Sequence, residues 1–188
     1  MASPADLLHG YLALLILERL VELAVSARNL RALAAAGGVE HGRGHHPLMV
    51  TFHLAFLGAC VLEPWLDPRP WPMPAALAAL GVALLAQALR WWAVATLGPR
   101  WTTRVVVLPG AAPVTAGPYR LLRHPNYLAV MLELAAVPLI GGALATAVVA
   151  SSLNALLLLV VRIPTEERAL GPAWREAFGS RRGGGGGR

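Results

Sequence analysis

The 188-residue sequence contains no lysine, a single cysteine and little charge of either sign, with sixteen basic and ten acidic side chains making up 14% of the chain. So few charges, half of them crowded into short stretches, do not furnish the polar shell that a soluble core of this size needs. Intrinsic disorder is excluded as well, because 56% of the residues are hydrophobic and disordered chains are poor in apolar side chains. With a mean hydropathy of +0.57, the composition reads as an all-α, multi-pass integral membrane protein. Cys60 has no partner in the chain, which excludes an internal disulfide framework and a cysteine-based zinc site. The formal charge of +6 is carried by arginines spread between apolar segments. That distribution fits membrane topology rather than phosphate tracking, so no nucleic-acid partner is expected.

Apolar stretches of about twenty residues, enough to cross a bilayer as a helix, run from Leu7 to Ala27, Pro47 to Leu66 and Met73 to Leu97. The stretch from Leu128 to Val161 is too long for one span. Pro138 and Gly141-Gly142 divide it into Leu128 to Ile140 and Ala143 to Val161, the first short enough to be tilted or interfacial. Arg28, Arg31 and Arg43 follow the first span, Arg100, Arg104, Arg120 and Arg123 the third, and six more arginines the fifth, with Arg69 alone on the other side. The positive-inside bias therefore puts the N-terminus outside and the C-terminus in the cytoplasm, and five crossings satisfy it. The first span is expected to stay, because Asp6 and no basic residue precede it and Glu18, Arg19 and Glu22 interrupt it. Residues 1–180 read as one domain, and the tail 181–188, rich in glycine, as disordered.

Ionisable residues inside spans are costly and mark functional positions by default. Counted from the cytoplasmic helix ends, Glu22, His53, Arg90, Glu133 and Asn154 lie about 7–14 Å deep at helical rise, with Glu18 and Arg19 slightly deeper. The outer half is apolar apart from Glu63 near its edge. This layer predicts a polar chamber opening inward, with His53, Arg90, Glu133 and Asn154 as its substrate-binding residues. The plainer alternative is that the same groups are interhelical ion pairs, such as Arg90 with Glu133 or Glu22. His41, His45 and His46 lack carboxylate and cysteine ligands at suitable spacing, so they read as solvated loop side chains and no metal is expected.

Between the third and fourth spans, Trp101-Thr102-Thr103-Arg104 leads into the β-branched run Val105 to Leu108, the turn Pro109-Gly110 and a second extended piece, a pattern that predicts a small hairpin at the membrane face. The segment GPYRLLRHPNY (Gly117 to Tyr127) follows, with Pro125 placed to start a helix. After the last span comes RIPTEERAL (Arg162 to Leu170), then WREAFG. These paired segments, with the helical hairpin between them, resemble the isoprenylcysteine carboxyl methyltransferase family and, more loosely, the membrane phospholipid methyltransferases. The N-terminal stretch Gly38 to Glu63 is similar to small bacterial members.

The resemblance implies S-adenosylmethionine as cofactor, held on the cytoplasmic side by segments 98–127 and 162–180. A glycine-rich nucleotide loop is then unnecessary. The chain has none on a strand-to-helix turn, which excludes a soluble Rossmann-type methyltransferase. Carried onto this sequence, Tyr119, Leu122, Arg123, His124, Pro125, Tyr127, Glu166 and Glu167 would bind the cofactor. Arg162, one helical turn before Glu166, and Glu167 would be catalytic. Eukaryotic members act on prenylated C-terminal cysteines, and relatives of the bacterial type are associated with O-methylation of alkylpyrones and alkylresorcinols. With so little soluble mass to hold a protein partner, the expected acceptor is a small lipid arriving from the bilayer. Two rivals remain: an NADPH-dependent sterol-type reductase, which shares an RHPNY-like string, and a non-enzymatic scaffold whose polar layer only joins helices.

Overall fold

A computed structural model describes residues 3–179; the proposed disordered tail, 181–188, lies outside them. Six α-helices and a two-stranded sheet follow in the order α1 (Pro4–Ala35), β1 (Val39–His41), α2 (His46–Leu66), α3 (Met73–Leu97), β2 (Val105–Val107), α4 (Pro125–Ile140), α5 (Leu144–Leu156) and α6 (Ile163–Gly179). Helix α1 is longer than the apolar run that predicts it. Its start is fixed by a capping box, with the Ser3 hydroxyl accepting from the Asp6 amide, the Asp6 carboxylate accepting from the Ser3 amide, and Pro4 in the first turn.

Three stretches are long and apolar enough to cross a membrane: Pro47–Leu66, Met73–Arg100 and Leu144–Phe178. Helix α4 is apolar but short, and α1 carries Glu18, Arg19 and Glu22 in its middle. Helix α3 inverts the order of a soluble protein. Along α3, Ala76, Ala79, Ala83, Ala86 and Ala93 recur at helical spacing and are buried, while Leu77, Leu84, Leu85 and Trp92 face outward. Small residues let backbones approach closely where lipid removes the hydrophobic drive between helices. Helices α3 and α4 accordingly pack along each other, with α5 against α4.

The chain turns between α4 and α5 at Gly141-Gly142, where the sequence places the break. Gly142 has φ of 81°, and a Cβ there would sit 2.9 Å from the Trp71 ring, so glycine is required twice over. Glu63 accepts from the amides of Ala145 and Thr146 at 2.9 and 2.6 Å, so a carboxylate from α2 caps the N-terminus of α5.

Strand β2 forms where it is expected, but its partner does not. It pairs antiparallel with β1, Val39 opposite Val107 and His41 opposite Val105, rather than folding back on residues 111–116. That following piece contains Pro113 and has no regular structure, and proline withholds a ladder donor.

Apolar packing lies on both sides of the polar layer. One cluster contains Leu8, Leu12, Phe56, Cys60, Leu134, Val137 and Ile140. The other joins Ala93, Tyr119, Trp174 and Phe178.

Candidate functional site

The polar layer is an ion network. Arg90 from α3 grips Glu22 of α1 through two bonds, Nε to Oε1 at 2.6 Å and Nη2 to Oε2 at 2.8 Å. Its Nη1 donates to Asn126 at 3.2 Å. Arg19 donates to both oxygens of Glu133 at 2.7 and 2.8 Å and also pairs with Glu22. Of the two pairings expected for Arg90, the one with Glu22 forms, and Glu133 is taken by Arg19. Gln87 donates to Glu18 beside this network.

His53, Arg90 and Glu133 line a chamber of about 270 Å³, with Val50, Leu54 and Leu57 as apolar wall. Asn154 does not line it. It is fully buried, and neither polar atom of its side chain has a hydrogen-bond partner among the described residues.

Helix α4 begins at Pro125 with His124 before it, so the RHPNY segment turns directly from loop into an apolar helix. After α5, residues Leu157–Arg162 form π-helical turns. Pro164 supplies the cause, since its ring crowds the carbonyl four residues back and it has no N–H to offer. Arg162 ends this widened stretch and is buried. Its Nε donates to the Tyr127 hydroxyl at 3.1 Å, and Nη2 to the Thr103 carbonyl at 2.7 Å. The Tyr127 hydroxyl in turn donates to Glu166. His124 Nε2 lies 3.1 Å from Glu167 Oε1, and the His124 ring stacks on Tyr127 with centroids 5.4 Å apart.

Helix α6 kinks at Gly171, where φ is 73°, and this folds Trp174 and Phe178 onto the loop. Arg123 lies 5.8 Å above the Trp174 ring and donates to the Phe178 carbonyl at 3.2 Å, a cation–π contact closed by a hydrogen bond. The two sequence segments therefore meet in space.

A second cavity, of about 360 Å³, is bounded by the loop 105–114, Tyr119, Arg123, His124, Tyr127, Glu166 and Trp174. Trp101, Thr102, Asn126, Tyr127 and Arg162 line both cavities. Leu122, Pro125 and Glu167 are not in the cavity wall; Glu167 acts on it through His124. Tyr119 is buried near Glu166, and desolvation followed by that carboxylate pushes its hydroxyl above the ordinary phenol range.

Sequence reasoning missed the residues that set the loop. Asn29 donates to the carbonyls of Gly98 and Trp101 at 3.1 and 2.8 Å. The Thr103 amide donates to Ser26 Oγ at 3.0 Å. Their signal was present, as Glu22, Ser26 and Asn29 recur at helical spacing on the buried face of α1.

The sequence profile of the Isoprenylcysteine carboxyl methyltransferase (ICMT) family matches residues 79–172. Protein YpbQ of Bacillus subtilis, described as uncharacterized, is 37% identical over 162 residues, which is 85% of this chain and 94% of YpbQ. An uncharacterized protein of Haemophilus influenzae is 29% identical over 159 residues, covering 84% of this chain and 91% of that protein. No solved structure matches significantly. With the profile spanning half of its length and YpbQ matched almost end to end, the chain belongs to the isoprenylcysteine carboxyl methyltransferase family, a family of membrane methyltransferases.

Proposed function

We propose that the protein is an integral membrane, S-adenosylmethionine-dependent O-methyltransferase whose acceptor is a small lipophilic molecule. The observation that carries this is the shared wall. Tyr127 and Arg162 belong both to the loop cavity and to the polar chamber, so a donor in one and an acceptor in the other would meet at these residues. Positioning two reactants and excluding water is most of what methyl transfer requires.

The residues of the loop cavity fit the cofactor. Its volume falls in the range of small-ligand sites. Trp174, Tyr119 and Leu170 offer an apolar and aromatic wall for a purine, and Glu166 and Arg123 offer charge of both signs for a zwitterionic amino acid. When bound, the cofactor supplies an electrophilic methyl group on a sulfonium. In this reading Tyr119, Arg123, His124, Tyr127 and Glu166 hold it, Leu122 and Pro125 set the loop, and Glu167 fixes the His124 ring. Arg162, anchored to Tyr127 and Thr103, orients the acceptor oxygen. His53, Arg90 and Glu133 bound the acceptor's polar head. Asn154 supports the helix interior and does not touch the acceptor. In the membrane, the chain crosses five times with the N-terminus outside and the loop cavity facing the cytoplasm, as the arginine distribution asks.

The purified protein in detergent is expected to gain thermal stability from S-adenosylmethionine and from its demethylated product, and none from NADPH. Membranes containing it should transfer label from the methyl-labelled cofactor into a lipid extract. Stabilisation by NADPH alone would establish the reductase reading. Stabilisation by neither ligand would leave the polar layer as a device for joining helices.

A further inference from the structure

Resting on the proposed methyl transfer, and on a hydroxyl as the acceptor group, we infer that His53 is the general base of the reaction. His53 lies two turns into α2, with its Nδ1 2.7 Å from the carbonyl oxygen of Met49 one turn earlier. A carbonyl only accepts, so Nδ1 carries the proton, and in the neutral ring Nε2 is left with a lone pair. The Phe52 ring stands edge-on beside it, centroids 5.4 Å apart. Nε2 makes no hydrogen bond to any of the described residues, and the ring borders the same chamber as Tyr127 and Arg162.

The other groups facing that chamber are unsuited to take a proton. Arg19, Arg90 and Arg162 do not accept. Glu22 is clasped by Arg90 and Arg19, and Glu133 receives both its bonds from Arg19, so their oxygens are already occupied by guanidinium donors. The Tyr127 hydroxyl already donates to Glu166 and accepts from Arg162. The oxygens of Thr102, Thr103 and Asn126 accept hydrogen bonds but are not bases near neutral pH, so His53 is the remaining titratable acceptor among the described side chains of the chamber.

This arrangement has a purpose only for one class of acceptor. A carboxylate is already ionised at neutral pH and needs no base. A phenol with a pKa near 10 is ionised to roughly one part in a thousand at pH 7, so a base in place is worth about 10²–10⁴ in rate. In the step, the acceptor O–H bond breaks and its proton passes to Nε2. The oxygen's electron pair forms the O–CH₃ bond, and the C–S bond breaks with its electrons staying on sulfur as a neutral thioether. The proton then leaves from the imidazolium to water. Val50, Leu54, Leu57 and Val130 give the acceptor's alkyl chain an apolar wall.

Multiple-bond proton–nitrogen spectra of the detergent-solubilised protein, carrying nitrogen-15 histidine, test the tautomer directly, with His53→Gln assigning the signal. Nε2 should resonate as an unprotonated nitrogen and Nδ1 as a protonated one; the reverse pattern would overturn the proposal. In turnover, a long-chain alkylresorcinol and N-acetyl-S-farnesylcysteine serve as hydroxyl and carboxylate probes. The wild-type protein should methylate the resorcinol. His53→Gln should lose at least about 10²-fold in kcat on it, bind S-adenosylhomocysteine with unchanged affinity by calorimetry, and recover rate as pH climbs toward the phenol pKa. His53→Ala should be partly rescued by imidazole. Undiminished turnover in both variants, or methylation of the farnesylcysteine alone, would overturn the assignment while leaving the methyltransferase intact. Failure of the wild-type protein to bind S-adenosylhomocysteine would overturn both readings together.

Discussion

Arg90 shows what one residue carries in a lipid-embedded bundle. Its guanidinium takes two bonds to Glu22 and one to Asn126, and so ties α3 to α1 and to the first turn of α4. Arg90→Ala leaves Glu22 buried with only Arg19 as partner. Removing one side of a buried pair costs about 3–5 kcal/mol, so this variant should unfold well below the wild type in detergent melts. Arg90→Lys keeps the charge and loses the fork, and should fall between the two. Equal stability of Arg90→Ala and the wild type would mean that Glu22 is satisfied by Arg19 alone. The sequence makes the depth of these charges legible, because depth follows from counting residues along a helix. It does not reveal that Glu133 pairs with Arg19. That choice depends on the rotation of α1 against α4, and a side chain on the next turn of the same helix meets a different neighbour. The fully buried Asn154 misleads for the same reason: its depth matches the chamber, but its direction does not.

At the scale of elements, the spans and breaks follow from local chemistry and are readable. Met73 to Leu97 is helical from end to end, Gly141-Gly142 is a turn, and Pro125 opens α4. Two features are not readable because they are not local. The strand β1 is three residues long and gains its pairing only when the loop after α1 meets the loop after α3. The π-helical turns Leu157–Arg162 depend on how the backbone resolves the clash at Pro164. This gives a prediction. Pro164→Ala restores an N–H and removes the ring, and so lets the α-helix run on through these turns. Losing one residue of register would swing Arg162 by about 100° at 3.6 residues per turn, away from Tyr127 and Thr103. The expected result is a stability equal to or above that of the wild type, with turnover falling by a factor of ten or more while cofactor affinity falls less. Loss of stability with turnover intact would show that the widened turns hold the fold and not the arginine.

For the whole molecule, the outward-facing large apolar side chains, Leu17, Leu54, Leu85, Val148 and Leu159 among them, make a membrane position a matter of surface chemistry, and leave orientation to the arginines. The loop between α2 and α3 carries Arg69, paired at the surface with Asp67. The segment between α3 and α4 carries Arg100, Arg104, Arg120 and Arg123 and also frames the loop cavity. The proposed cofactor, S-adenosylmethionine, is water-soluble and made in the cytoplasm, so on that proposal charge bias and chemistry ask for the same orientation. The chain's one cysteine provides a clean background for testing it, because Cys60 is 0% exposed. Arg69→Cys and Ala112→Cys place single exposed thiols on the two sides of α3. A membrane-impermeant maleimide should label Arg69→Cys in intact spheroplasts and Ala112→Cys only after the membrane is opened. The opposite pattern would reverse the orientation and put the loop cavity out of the cofactor's reach. Labelling of both from one side would mean that α3 does not cross, against its length and composition.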